Sequence, residues 1–213
     1  MKVTKFVHSC LLVETPERTA VFDPGAYSAE ALGQALDTGA IARLDDIFVT
    51  HAHYDHCDAD LIRRLVARFP DARVTGTAEV VAELGKAGIK AGDQAPEGVE
   101  FFEAPHERLH PPRQAPQNIG IHYLGKLSDP GDSHSFDQTK AVLALPVQAP
   151  WGSNVRAFSL ALELKPRHVL PVHDWHWRDE AREGMYDMFE RSLGEQGITF
   201  HKLKTGQPFD IAV

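Results

Sequence analysis

Cysteine is nearly absent from this chain: Cys10 and Cys57 are the only two in 213 residues. That excludes a disulfide-stapled scaffold and a zinc site built on cysteines. No apolar run approaches the roughly 20 residues that a membrane-spanning helix needs. The opening Met1-Lys2-Val3-Thr4-Lys5-Phe6 has neither the apolar core nor the small-residue cleavage site of a secretion signal, so a cytoplasmic location is expected. Basic runs are missing too. Nothing exceeds Arg63-Arg64, and 22 basic against 30 acidic residues leave a net charge of −8. Such a chain has no bulk attraction for nucleic acid. Hydrophobic residues at 43% and charged residues at 24% form an ordinary globular mixture, enough for one generous domain spanning residues 1–213. Against these shortages stand 12 histidines.

Turn and periodicity signals divide the chain into a strand-rich opening followed by alternating strands and helices. Strands are expected at 3–8, 10–14, 19–22, 46–50, 73–75, 99–104, 119–124, 141–145, 167–171 and 198–203. Helices are expected at 28–36, 77–86, 154–164 and 179–193. A further helix after Asp58 carries Leu61, Leu65, Val66 and Phe69 at helical spacing and is stopped by Pro70. Residues 107–117, rich in proline and polar groups, read as an irregular loop. Two sheets, each covered by helices, fit this order best.

The histidines are not scattered. His51-Ala52-His53-Tyr54-Asp55-His56 places three of them and an aspartate within six residues, between a strand and a helix. His51 and His53, two apart in extended chain, project to one side and can grip one cation. Asp55 and His56 follow as the chain turns and can serve a second. Imidazole with carboxylate is a ligand set for zinc, manganese or iron.

This His-x-His-x-Asp-His run resembles the signature of the metallo-β-lactamase fold superfamily. Matching pieces follow in order: Asp23 in Phe22-Asp23-Pro24-Gly25, His106 after the strand at 99–104, Asp132 in Pro130-Gly131-Asp132-Ser133, and His173 in Leu170-Pro171-Val172-His173-Asp174. The opening His8-Ser9-Cys10-Leu11-Leu12-Val13-Glu14 is similar to the branch of UlaG-like metal-dependent hydrolases.

The resemblance implies an α/β, four-layer αββα sandwich with a dinuclear centre of divalent transition-metal ions, zinc first, with manganese or iron as alternatives. His51, His53 and His106 would hold one ion, and Asp55, His56 and His173 the other. Asp132 would bridge them. Asp55 and Asp132 are then the carboxylates closest to the chemistry. Asp23 would steady a ligand imidazole. A metal-bound hydroxide would attack an ester, lactone or phosphodiester bond of a small molecule.

His106-Glu107-Arg108-Leu109-His110 offers two histidines for one ligand position. His106 is favoured because it stands at a strand end, whereas His110 falls in the proline-rich loop. His8, His110 and His134 are candidates for substrate or ligand support, and Arg113 for clamping an anionic group. The tryptophans Trp151, Trp175 and Trp177 read as core or pocket wall. An iron-dependent redox enzyme and a nucleic-acid-processing nuclease are the rival functions. No Gly-rich phosphate loop and no basic surface support either. Oligomeric state leaves no trace in the sequence.

Overall fold

The computed structural model describes residues 1–213. The chain resolves into two compact units, Met1–Ala95 with Lys204–Ala212, and Pro96–Leu203 with Val213. Each unit is built on one six-stranded mixed sheet.

The first sheet contains β1 (Lys2–Lys5), β2 (Leu11–Glu14), β3 (Thr19–Phe22), β4 (Asp46–Val49), β5 (Arg73–Gly76) and the late strand β12 (Pro208–Asp210). Its order is β12-β1-β2-β3-β4-β5. The first three steps are antiparallel, and β3-β4-β5 run parallel. Parallel neighbours need crossovers. Helices α1 (Ala29–Asp37) and α2 (Ala59–Arg68) supply them, and α3 (Ala78–Lys86) follows β5. The sequence sets these helices clearly. Asp58 accepts a hydrogen bond from the Leu61 amide at 2.8 Å and Thr77 accepts from Val80 at 3.3 Å, each closing the first helical turn. On α2, Leu61, Ile62 and Leu65 face inward onto Ile47, Val49 and Val74. Each such buried side chain contributes about 1.5–3 kcal/mol. Ser28 departs from expectation. A short 3₁₀ turn at Ala26–Ser28 precedes α1, and the Ser28 hydroxyl donates to the Gly25 carbonyl at 2.8 Å instead of capping the helix.

The second sheet contains β6 (Val99–Glu103), β7 (Ile119–Tyr123), β8 (Leu127–Asp129), β9 (Val142–Pro146), β10 (His168–Val172) and β11 (Thr199–Phe200), in the order β11-β10-β9-β8-β7-β6. Helices α4 (Asn154–Leu164) and α5 (Asp179–Gly194) pack Ala157, Leu160, Phe189 and Leu193 against Leu143, Leu145 and Val169. Strands β8, β9, β10 and β11 run parallel. β6 is antiparallel to β7, and β7 to β8, so β6 and β8 end at the same edge of the sheet.

Two strands escape the sequence pattern. β8 and β12 have three residues each, too few to show a period. Val3 to His8 was expected to be extended, but β1 stops at Lys5. The chain then turns, with the Phe6 amide donating to the Cys10 carbonyl at 2.8 Å. No helix is long and apolar enough to cross a membrane.

Candidate functional site

In each unit the candidate residues sit just past the carboxyl ends of strands, where open α/β sheets place their ligands. In the first unit, Asp23 follows β3 and His51 follows β4, two parallel neighbours. In the second, His106 follows β6, Asp132 follows β8 and His173 follows β10.

The first unit centres on Asp23, which is fully buried and has φ +46°. One carboxylate oxygen, Oδ1, accepts the Thr50 amide at 2.7 Å. The other, Oδ2, accepts the Thr50 hydroxyl at 2.8 Å and His56 Nδ1 at 2.7 Å. The Thr50 proton is therefore committed to the carboxylate. Its oxygen, 3.1 Å from His51 Nδ1, accepts from that ring. Asp23 thus fixes the tautomers of two imidazoles, His56 directly and His51 through Thr50. Both carry a proton on Nδ1. His51 Nε2 lies 3.1 Å from His53 Nδ1. The turn at Asp23-Pro24-Gly25 touches the ligand run itself. A Cβ on Gly25 would stand 1.8 Å from the Asp55 carbonyl oxygen, so only glycine fits there.

His8 is buried and left-handed at φ +65°. Its Nε2 lies 3.2 Å from Asp55 Oδ2, and its ring meets those of His56 and Tyr27 edge-on at 5.4 and 5.2 Å. The donor atoms of His8, Asp55 and His56 all lie within 4.8 Å of one another. Tyr54, inside the His-x-His run, is exposed and shares a 2.5 Å hydroxyl contact with Tyr27. Cys57 is no thiolate: burial, reinforced by the negative charge of Asp23, pushes its thiol up to about 12.

The second unit centres on Asp132, also buried. Its Oδ2 lies 3.5 Å from His106 Nε2 and 3.2 Å from His173 Nε2. The far nitrogens of both rings face carbonyls: His106 Nδ1 at 2.6 Å from Glu107 O, and His173 Nδ1 at 2.7 Å from Gln148 O. A carbonyl only accepts, so each ring carries a proton on Nδ1 and turns Nε2 toward a carboxylate oxygen. With the rings neutral, Nε2 and Oδ2 are both acceptors, an arrangement that a cation satisfies. The nitrogen and oxygen donors suit a borderline divalent ion. The residues present therefore fit a metal in both units. Trp151 adds an indole N–H donated to Asp132 Oδ2 at 3.0 Å.

His173 is left-handed at φ +59°. Its neighbour Asp174 anchors the turn, accepting from the Tyr186 hydroxyl and pairing with Arg182 Nε at 3.1 Å. Three of the five non-glycine residues at positive φ are His8, Asp23 and His173, and such strain gathers where side chains must be aimed.

His110 is exposed, with Nδ1 against the Pro111 carbonyl, and the structure does not bring it to Asp132. Arg113 is an exposed loop residue whose amide donates to the His110 carbonyl. His134 is buried, with Nε2 donating to the Pro146 carbonyl at 2.7 Å, and burial holds its pKa below 6.5. Sequence reasoning missed Thr50, and read Trp151 as core or pocket wall without its link to Asp132. Thr50 had a faint signal, standing between a buried strand and His51. The contact of Trp151 with Asp132 had none, since an indole in a Pro-Trp-Gly turn looks like any packed aromatic.

A family model described as the β-lactamase superfamily domain matches residues 2–173. The chain belongs to that superfamily, as a metal-dependent hydrolase of the metallo-β-lactamase fold. Within it, the similarity runs to the UPF0173 branch. A UPF0173 metal-dependent hydrolase of Pyrobaculum calidifontis is 26% identical over 81% of this chain and 84% of its own. Protein Rv0786c of Mycobacterium tuberculosis is 29% identical over 87% of this chain and 89% of its own. The fold is shared with Igni18, a metallo hydrolase of Ignicoccus hospitalis, at a TM-score of 0.68 and 18% identity, covering 99% of each chain.

Proposed function

We propose that this protein is a hydrolase that binds two divalent transition-metal ions, zinc first, and cleaves an ester, lactone or phosphodiester bond in a small molecule. The observation that carries the reading is that Nε2 of His106 and Nε2 of His173 converge on one carboxylate oxygen of Asp132, with both Nδ1 atoms held on carbonyls. The motif order His51-x-His53-x-Asp55-His56, His106, Asp132, His173 supports the division of ligands. His51, His53 and His106 hold one ion, Asp55, His56 and His173 the other, and Asp132 both.

Bound divalent cations would supply a Lewis acid and a nucleophilic water at neutral pH. The protein's own groups do the rest. Asp23 holds the Nδ1 side of His51 and His56, which leaves ligation to Nε2. Asp55 has a side chain 15% exposed, against 3% for Asp132, which makes it the carboxylate better placed to carry a proton between attacking water and leaving group. His8 Nε2 steadies Asp55 Oδ2. No serine or cysteine nucleophile enters the scheme, in keeping with the raised Cys57 thiol.

Zinc-, manganese- and iron-reconstituted samples assayed on lactones, phosphodiesters, thioesters and activated esters test the reading. Metal-dependent turnover that disappears in Asp132→Ala supports it. Metal-loaded protein inert across the panel contradicts it.

A further inference from the structure

Trp151 lies in the turn Ala149-Pro150-Trp151-Gly152 after β9, closed by the Gly152 amide donating to the Ala149 carbonyl at 3.2 Å. Its indole sits among three histidines of its own unit. The ring centroids of His106, His134 and His173 lie 6.1, 5.3 and 5.3 Å away, all edge to face. The turn packs closely on them: a Cβ on Gly152 would stand 3.2 Å from His134 Cε1. His134 in turn is tied at both ends. Its ring donates to Pro146 O, and its amide donates to Glu107 Oε1 at 3.0 Å. The indole is thus wedged in a fixed orientation, and its Nε1–H ends 3.0 Å from Asp132 Oδ2.

That oxygen is the same one that faces His106 Nε2 and His173 Nε2. Rotation of the carboxylate about its Cβ–Cγ bond would turn Oδ2 away from both rings. A hydrogen bond from a neutral donor to a charged acceptor is among the stronger ones. An indole held rigidly by packing delivers it at little entropic cost.

We infer that Trp151 is a positioning residue for the metal-ligating carboxylate: its indole N–H pins Asp132 with Oδ2 turned toward both histidines, so that the half-site is set before the ion binds. The inference rests on the metal-binding reading above. It is specific in placing the effect in the N–H group and not in the bulk of the ring. Outer hydrogen-bond partners of metal ligands typically govern about 10–100-fold in affinity.

The test compares the wild type with Trp151→Phe and with a protein carrying benzothienylalanine at position 151, which keeps the indole shape but replaces N–H with sulfur. Zinc affinity is measured by competition with a chromophoric chelator, and the visible spectrum of the cobalt-loaded protein reports ligand geometry. Both altered proteins are expected to bind zinc about tenfold more weakly and to show a shifted cobalt spectrum. Should Trp151→Phe fail to fold, the isosteric protein decides alone. If the isosteric protein binds zinc and cobalt as the wild type does, the N–H has no positioning role and the inference is overturned, whatever Trp151→Phe does. A wild type that binds neither ion overturns the metal reading instead, a distinguishable result.

Discussion

His56 Nδ1 and Asp23 Oδ2 share a 2.7 Å hydrogen bond between side chains that are both fully buried. The same oxygen takes the Thr50 hydroxyl, and through it Asp23 governs His51 as well. One carboxylate, placed by a strained turn, thereby orients two candidate ligands on a neighbouring segment. Asp23→Asn should fold but lose about 10–100-fold in zinc affinity, because one amide oxygen cannot accept from the Thr50 amide, the Thr50 hydroxyl and His56 together. Asp23→Ala leaves buried donors unsatisfied and should cost about 3 kcal/mol of apo-protein stability, read by urea unfolding.

The two histidines of the third motif separate in one experiment. His106→Ala should lose metal, because His106 faces Asp132 from a buried strand end. His110→Ala should keep it, because His110 is exposed in the loop. Elemental analysis of both variants decides the matter, and the reverse pattern would reassign the ligand.

Much of this was legible in the sequence for a physical reason. Asp58 and Thr77 before apolar periodic runs specify helix starts chemically, and the structure shows both caps made. Asp23, His51 and His106 stood out as polar groups at the ends of apolar strands, His56 as part of the histidine run, and Asp132 through the family resemblance. What stayed hidden depends on contacts distant in sequence. The link from Thr50 to Asp23 spans 27 residues, and Trp151 reaches Asp132 across 19, which no local pattern encodes. β12 pairs with β1 from the far end of the chain, and three residues give no period to read. His8, expected to extend a strand, instead occupies a left-handed turn that only its tertiary surroundings justify.

Acid should destabilise the fold through histidines held neutral. Burial lowers the pKa of both His122 and His201 below 6.5, and the proximity of Lys140 and His168 respectively adds to this. The unfolded chain then binds more protons below that pH, so stability present above 6.5 is lost as pH falls. His122 is stacked on Phe102 at 4.2 Å, and its Nδ1 shares a 2.9 Å hydrogen bond with the Ser128 hydroxyl, whose oxygen accepts the Lys140 amide. His122→Gln should therefore flatten the fall in melting temperature between about pH 7 and 5. A slope identical to the wild type would remove His122 from the account.

The loop at 107–117 should set substrate preference without touching the metals. It starts beside His106 and carries the exposed Arg108, His110 and Arg113. Arg113→Ala should raise KM for anionic substrates, by about tenfold where a charged contact is lost, with kcat and metal content held. Equal KM values across charged and neutral substrates would make the loop a plain connection.

Metal stoichiometry tests the central claim most directly. The chain should be purified without chelators, reconstituted separately with zinc, manganese and iron, and analysed for bound metal per polypeptide. The account predicts two ions per chain with at least one of these metals, falling in Asp132→Ala. A wild-type chain that retains none of the three would contradict it.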